Sequence, residues 1–273
     1  MNESSPSPIA EREASGAFEA DWLEFARGLG PGSIDLVYAD PPFFTGEVQR
    51  TPVGAARAGR FVAADYDDRW TDMPAYVGWL RERLCATLPA LKPTGVVLIH
   101  CDWHASHHIR VMLDEVMGAD GFINHLVWSY GLGGSSPRRF ARKHDDIFAY
   151  AVDSERYHFV APMVPATSAR LKGQMKKATD VLSIPSLNNM AAERTGYPTQ
   201  KPLELLELLI LAFSPDGGTV LDPCFGSGTT LVAALRTGRL AVGCDLNAAA
   251  VATCLARIAA IDGDGTRPVG SSR

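Results

Sequence analysis

Val220-Leu-Asp-Pro-Cys-Phe-Gly-Ser-Gly-Thr-Thr230 reads as a buried strand, a glycine turn and the start of a helix. Gly226 and Gly228 allow the backbone to approach a ligand closely, and the helix that follows offers N–H groups without intrahelical partners. Apolar periodicity around this stretch predicts a strand over 219–221, a helix over 229–237, a strand over 240–244 and a helix over 248–261. The same alternation runs upstream. Strands are expected over 33–39, 95–100, 122–128 and 146–152, and helices over 20–29, 74–91, 104–117 and 202–213. Strands alternating with helices imply an α/β fold whose mostly parallel sheet is covered on both faces.

The glycine turn admits three ligand classes. A phosphate-binding Walker loop needs a lysine before the Ser/Thr, and none is present. A dinucleotide fingerprint wants a third glycine near position 231, which is leucine. What remains is a nucleoside without pyrophosphate. Asp245 closes the next strand and can accept hydrogen bonds from ribose hydroxyls, while Asp222 can meet a cationic amino group. S-adenosylmethionine has a ribose, an amino-acid end and no phosphate.

Asp40-Pro41-Pro42-Phe43 follows the apolar strand at 33–39. Two prolines fix φ and remove two N–H donors, so the loop is stiff and its carbonyls point outward. A carboxylate and the Pro41 carbonyl can each accept one proton of an exocyclic amine. Phe43, with Phe44 beside it, can stack on a base turned out of a duplex. In isolation the same residues also fit an ordinary strand-ending turn.

The chain has 273 residues, 46% of them hydrophobic, enough for one α/β domain with a modest insertion. No apolar run reaches the length of a membrane span. Residues 1–16 and 263–273 read as disordered tails, without a signal-peptide pattern, around a domain at 17–262. Five cysteines without a C-x-x-C pair suggest free thiols in a reducing cytoplasm. Net charge is -5, yet residues 138–177 hold nine basic and four acidic side chains, so the remainder is strongly acidic. A basic patch on an acidic body suits contact with a polyanion through one face, although a solvated surface reads the same way. Arg138, Arg139, Arg142 and Lys143, beside a run of glycines at 131–134, are the candidate phosphate contacts.

Together these stretches resemble the β class of bacterial DNA amino-methyltransferases, which methylate adenine N6 or cytosine N4. The matching segments are 34–43, Cys101-Asp-Trp-His-Ala-Ser-His107, Arg142-Lys-His-Asp-Asp146, Glu193-Arg-Thr-Gly-Tyr-Pro-Thr-Gln-Lys-Pro202 and 220–230. The catalytic loop precedes Thr-Gln-Lys-Pro and the cofactor loop, which is the circularly permuted motif order of that class. The resemblance spans residues 18 to about 260 and implies a Rossmann-like S-adenosylmethionine-dependent methyltransferase fold. It implies Asp40, Pro41, Pro42 and Phe43 as the catalytic loop. It also implies a cofactor pocket from Asp21, Thr199, Gln200, Lys201, Asp222, Phe225, Gly226, Ser227, Gly228, Thr229 and Asp245, with Lys201 pairing the methionine carboxylate. The acid at Asp21 follows Ala20 where the family has glycine.

The family reads Asp-Pro-Phe-Cys-Gly-Ser-Gly where this chain has Asp222-Pro-Cys-Phe-Gly-Ser-Gly228. Either Cys224 or Phe225 can therefore cover the cofactor adenine. Residues 44–72 are expected as a mobile loop and 130–192 as a brief target-recognition region. Asp before Pro-Pro leans toward adenine, with N4-cytosine methylation and an inert DNA-binding subunit as alternatives. The implied partners are DNA, a second copy of the chain and a restriction endonuclease of the same site, in a bacterial cytoplasm close to the nucleoid. His100, His104, His107 and His108 lack partners at zinc spacing, so no metal is expected.

Overall fold

The computed structural model describes residues 16–50, 65–131, 135–166, 170, 173–188, 191, 193–197 and 199–263. The expected tails at 1–15 and 264–273, the centre of the expected loop at 51–64 and the glycines of 132–134 lie outside the described residues.

The chain runs β1 (Gly16–Glu19), α1 (Trp22–Arg27), β2 (Ile34–Ala39), β3 (Val48–Gln49), β4 (Tyr66–Asp67), α2 (Met73–Thr87), β5 (Leu91–Cys101), α3 (Ser106–Met117), β6 (Phe122–Ser129) and β7 (His144–Ala151). It continues through β8 (Met163–Pro165), β9 (Met175–Lys177), β10 (Val181–Ser183), α4 (Leu203–Phe213), β11 (Thr219–Asp222), α5 (Thr229–Arg236), β12 (Leu240–Asp245) and α6 (Ala248–Gly263). Eight strands form one sheet in the order β1-β12-β11-β2-β5-β7-β6-β10. Five neighbouring pairs are parallel; β7 alone runs against its neighbours β5 and β6.

The two-residue period of the strands divides the core. Val37 and Ala39 of β2, with Val97, Ile99 and Cys101 of β5, face α1, α2 and α3 through Phe25, Leu80 and Ile109. Leu36, Tyr38, Val96 and Leu98 point the other way, against Leu205 and Leu209 of α4 and Leu231 of α5. Both faces are buried, so β2 reads as an unbroken apolar run apart from Asp35. Asp35 is satisfied by Lys92 and by the backbone N–H of Thr219.

Several boundaries differ from the sequence expectation. Gly16, assigned to the tail, pairs with Val242 as the first residue of β1, and Gly263 ends α6. The predicted helix over 74–91 stops at Thr87, passes through a 3-10 turn at Leu88–Ala90, and β5 begins at Leu91 opposite Ile34. The described ends of the 44–72 loop form the β3–β4 hairpin, clasped by Asp68, whose carboxylate accepts the N–H groups of Phe44 and Thr45.

The crossover β2–α2–β5 moves outward in one direction, and β11–α5–β12 in the other, with α2 and α5 on opposite faces. The reversal lies between β2 and β11. In open α/β sheets this switch point opens a crevice at the carboxyl ends of the strands. Asp40 follows β2 there, and Asp222 and Asp245 end β11 and β12.

Candidate active site

The crevice at the switch point is a cavity of about 710 Å3. Of the sequence-identified residues, Asp21, Asp40, Pro42, Thr199, Gln200, Lys201, Asp222, Phe225, Gly226, Ser227, Thr229 and Asp245 line it. Pro41, Phe43 and Gly228 are not on its wall, and neither are Arg138, Arg139, Arg142 and Lys143. Both Cys224 and Phe225 face it. Its remaining wall was not legible as a site: Trp22, Trp70 and Trp79 form an aromatic end, and Tyr66 and Tyr197 a side.

Asp40 stands where β2 runs out. Its Oδ2 receives Lys201 Nζ at 2.5 Å, and its Oδ1 is buried without a hydrogen-bond partner. An ionised oxygen left unpaired in a buried setting is costly, so this atom is poised to accept a donor from a ligand. The contact corrects the role read for Lys201, whose ammonium is spent on the catalytic-loop acid. The same ammonium lies 4.9 Å from the centre of the Phe43 ring. Phe44 is not a second stacking ring. It has φ 64, left-handed for a non-glycine, is clasped by Asp68 and packs its ring on Tyr76.

Under the loop lies a buried polar chain that sequence reasoning missed. Asp145 accepts from His100 Nε2–H at 3.2 Å, which leaves Nδ1 of a neutral imidazole to accept from the Tyr38 hydroxyl at 2.7 Å. Tyr130 donates to the other oxygen of Asp145. Burial opposes charge on Asp145, but the His100 hydrogen bond and the nearby His100 and Lys201 charges hold its carboxyl below the ordinary range. The Phe43 ring rests 5.7 Å from that of His100.

The glycine turn is held from three sides. Asp222 Oδ1 accepts the Cys224 N–H at 3.1 Å, and Asp245 Oδ2 accepts the Gly226 N–H at 2.9 Å. Arg257 of α6 donates to the Ser227 carbonyl and to Thr229 Oγ1 from behind. The hydroxyls of Ser227 and Thr229 also bond each other, so they brace the turn. Gly228 has φ 77, and a Cβ there would lie 2.3 Å from the Cys254 sulfur.

Gln200 is likewise a brace. Its amide spans Thr195 and the Glu193 carbonyl. That brace presents Tyr197 over Gly226, and Tyr66 stacks on Tyr197 at 6.5 Å and 16°. Asp21 caps α1 through Leu23 N–H and pairs with Arg83 at 2.8 Å.

Burial pushes the Asp222 carboxyl up to about 7, with the charges of Asp40 and Asp245 adding to the effect against hydrogen bonds from Thr230 and Cys224. Burial also raises Asp245, partly offset by the N–H groups of Asn247 and Gly226. The cavity wall carries seven carboxylates, Glu19, Asp21, Asp40, Asp65, Asp67, Asp222 and Asp245, against Arg83 and Lys201, each already paired with an acid. A cavity of this size and sign suits a cationic nucleoside.

A family model described as DNA methylase matches residues 34–256. The chain is 28% identical over 229 residues to the type II methyltransferase M.HpaI of Haemophilus parainfluenzae, covering 82% of this chain and 68% of the relative. It is 32% identical over 139 residues to M.ScaI of Streptomyces caespitosus, covering 45% of this chain and 46% of that relative, under half its length. Among solved structures, PvuII DNA methyltransferase (cytosine-N4-specific) superposes with a TM-score of 0.65 at 17% identity, over 89% of this chain and 86% of the other. A DNA modification methylase of Thermus thermophilus, TTHA0409, complexed with S-adenosyl-L-methionine, gives 0.61 at 22%, over 90% and 94%. At these identities the two structures establish the fold, a mixed α/β sheet of this architecture.

Proposed function

The chain belongs to the family of N6/N4 DNA methylases, and from this premise we propose that it transfers a methyl group from S-adenosylmethionine to the N6 amine of adenine in DNA. The observation that carries the reading is the buried, unpartnered Oδ1 of Asp40, beside an acid-lined nucleoside cavity. The residues present fit the cofactor: the carboxylates of Asp222 and Asp245 complement its positive charge and ribose hydroxyls, and Cys224, Phe225 and Tyr197 flank the turn. When bound, S-adenosylmethionine supplies an electrophilic methyl carbon on a sulfonium.

The chain's own groups prepare the amine. Asp40 Oδ1 accepts one N–H of the exocyclic nitrogen and the Pro41 carbonyl accepts the other. Two acceptors on one nitrogen turn its lone pair out of the ring and toward the methyl carbon. As the N–C bond forms, positive charge grows on the nitrogen, and the Asp40 carboxylate stabilises it until the proton leaves. Lys201, at 2.5 Å, fixes the carboxylate so that Oδ1 faces the amine. Phe43 stacks on the base, on a ring position held by His100 and Lys201. Arg138, Arg139, Arg142 and Lys143 contact phosphate. An aspartate before Pro-Pro favours adenine. A second copy of the chain and an endonuclease of the same site are the protein partners this reading adds.

Asp40→Ala is expected to bind S-adenosylmethionine with unchanged affinity by calorimetry and to lose about a hundredfold or more in methyl transfer to unmodified plasmid. Full transfer by that variant would sink the mechanism.

A further inference from the structure

The connection between β6 and β7 carries Arg138-Arg139-Phe140-Ala141-Arg142-Lys143. Phe140 is 97% exposed, the most exposed large apolar side chain among the described residues. A phenyl ring held in water is unfavourable, and here four cations bracket it in sequence. Its place in the fold is set by the sheet. β7 runs against β5 and β6, so this connection leaves the same sheet edge at which β2 and β5 end in Asp40 and Asp102. The Arg142 guanidinium lies 3.2 Å over the ring of Trp103, just past β5. Three residues earlier, His100 touches Phe43 of the catalytic loop. Phe140 is thus tied, through Arg142 and Trp103, to the edge where a target base must enter.

We propose that Phe140 is a wedge that enters the base stack of duplex DNA and holds open the gap left by the extruded base. An apolar ring flanked by phosphate-seeking cations matches one environment, the apolar interior of a stack bordered by phosphates. Extruding a base costs stacking energy, and an inserted aromatic ring restores part of it. The proposal rests on the reading that the chain acts on a base within DNA, and it adds the residue that keeps that base out.

Two readouts on Phe140→Ala and Phe140→Trp test it: methyl transfer into unmodified closed-circular plasmid, and the linking number of that plasmid relaxed by topoisomerase with the protein bound. Insertion untwists DNA, so the wild type shifts the linking number. Phe140→Ala abolishes the shift and lowers transfer about tenfold, whereas Phe140→Trp keeps both. Because Phe140 is exposed, calorimetric S-adenosylmethionine binding stays unchanged in both variants, and its loss would overturn the proposal in favour of a structural role. Unchanged transfer by Phe140→Ala overturns it whatever the linking number does, and so does lost transfer with an unchanged shift. A wild type that methylates no DNA refutes the underlying reading and the wedge together. A wild type that methylates DNA no better than Phe140→Ala does refutes the wedge alone.

Discussion

The Asp222 carboxyl is enclosed at the end of β11, and its pKa of about 7 lies well above the ordinary carboxylate range. The folded protein therefore holds a proton that the unfolded chain has released. Such a group contributes stability that is complete below its unfolded pKa and lost as pH rises through its folded one. The melting temperature of the ligand-free protein is expected to carry a downward component between about pH 4 and about pH 7 that Asp222→Asn removes. Parallel curves for the two proteins, by scanning calorimetry, would contradict the assignment. A cation in the cavity favours the ionised form, so cofactor affinity gains from the same titration in the opposite direction. At this scale the sequence was informative where a strand ends in an acid: Asp40, Asp222 and Asp245 meet in one cavity. It was silent on partners made by folding. Lys201 lies 161 positions from the Asp40 it pairs with, and Gln200 and Ser227 carry motif positions whose side chains turn out to be braces. Tyr38, His100 and Asp145 come from three different strands, so no local pattern could join them.

The pairing of β11 with β12 decides how the glycine turn is presented, and Gly243 sits at its tightest point. A Cβ at Gly243 would lie 2.2 Å from the Asp222 carbonyl oxygen and 3.0 Å from the Phe225 ring. Neither neighbour can yield without moving the turn. Gly243→Ala is expected to cost about 1–3 kcal/mol in chemical denaturation and to weaken cofactor binding as well. Wild-type stability with wild-type binding would show that the strands part more readily than this packing implies. Elements buried on both faces were legible, because β2, β5 and β7 read as apolar runs. Edge elements were not. β10 offers one buried side chain, Leu182, and is placed by pairing with β6. β1 borrows its register from β12. Pro93 argued against an early start to β5, yet Leu91 pairs with Ile34 and Lys92 reaches Asp35.

Across the whole molecule, charge is divided by task. The net charge of -5 conceals a basic stretch on the β6–β7 side and a cavity walled by acids at the β2–β11 switch point. The first suits phosphates and the second a cation, and the catalytic loop lies at the sheet edge they share. The order of motifs along the chain, catalytic loop before cofactor loop, does not alter this, because the sheet brings β2 and β11 side by side. Among the described residues no helix is long and apolar enough to cross a membrane. The central claim is that this edge methylates an exocyclic amine, and specifically adenine N6. Its most direct test is mass spectrometry of nucleosides from plasmid of a methylation-deficient host, incubated with the protein and isotopically labelled S-adenosylmethionine. The account predicts labelled N6-methyladenine that vanishes with Asp40→Ala. Labelled N4-methylcytosine in its place, or no labelled nucleoside at all, would contradict it.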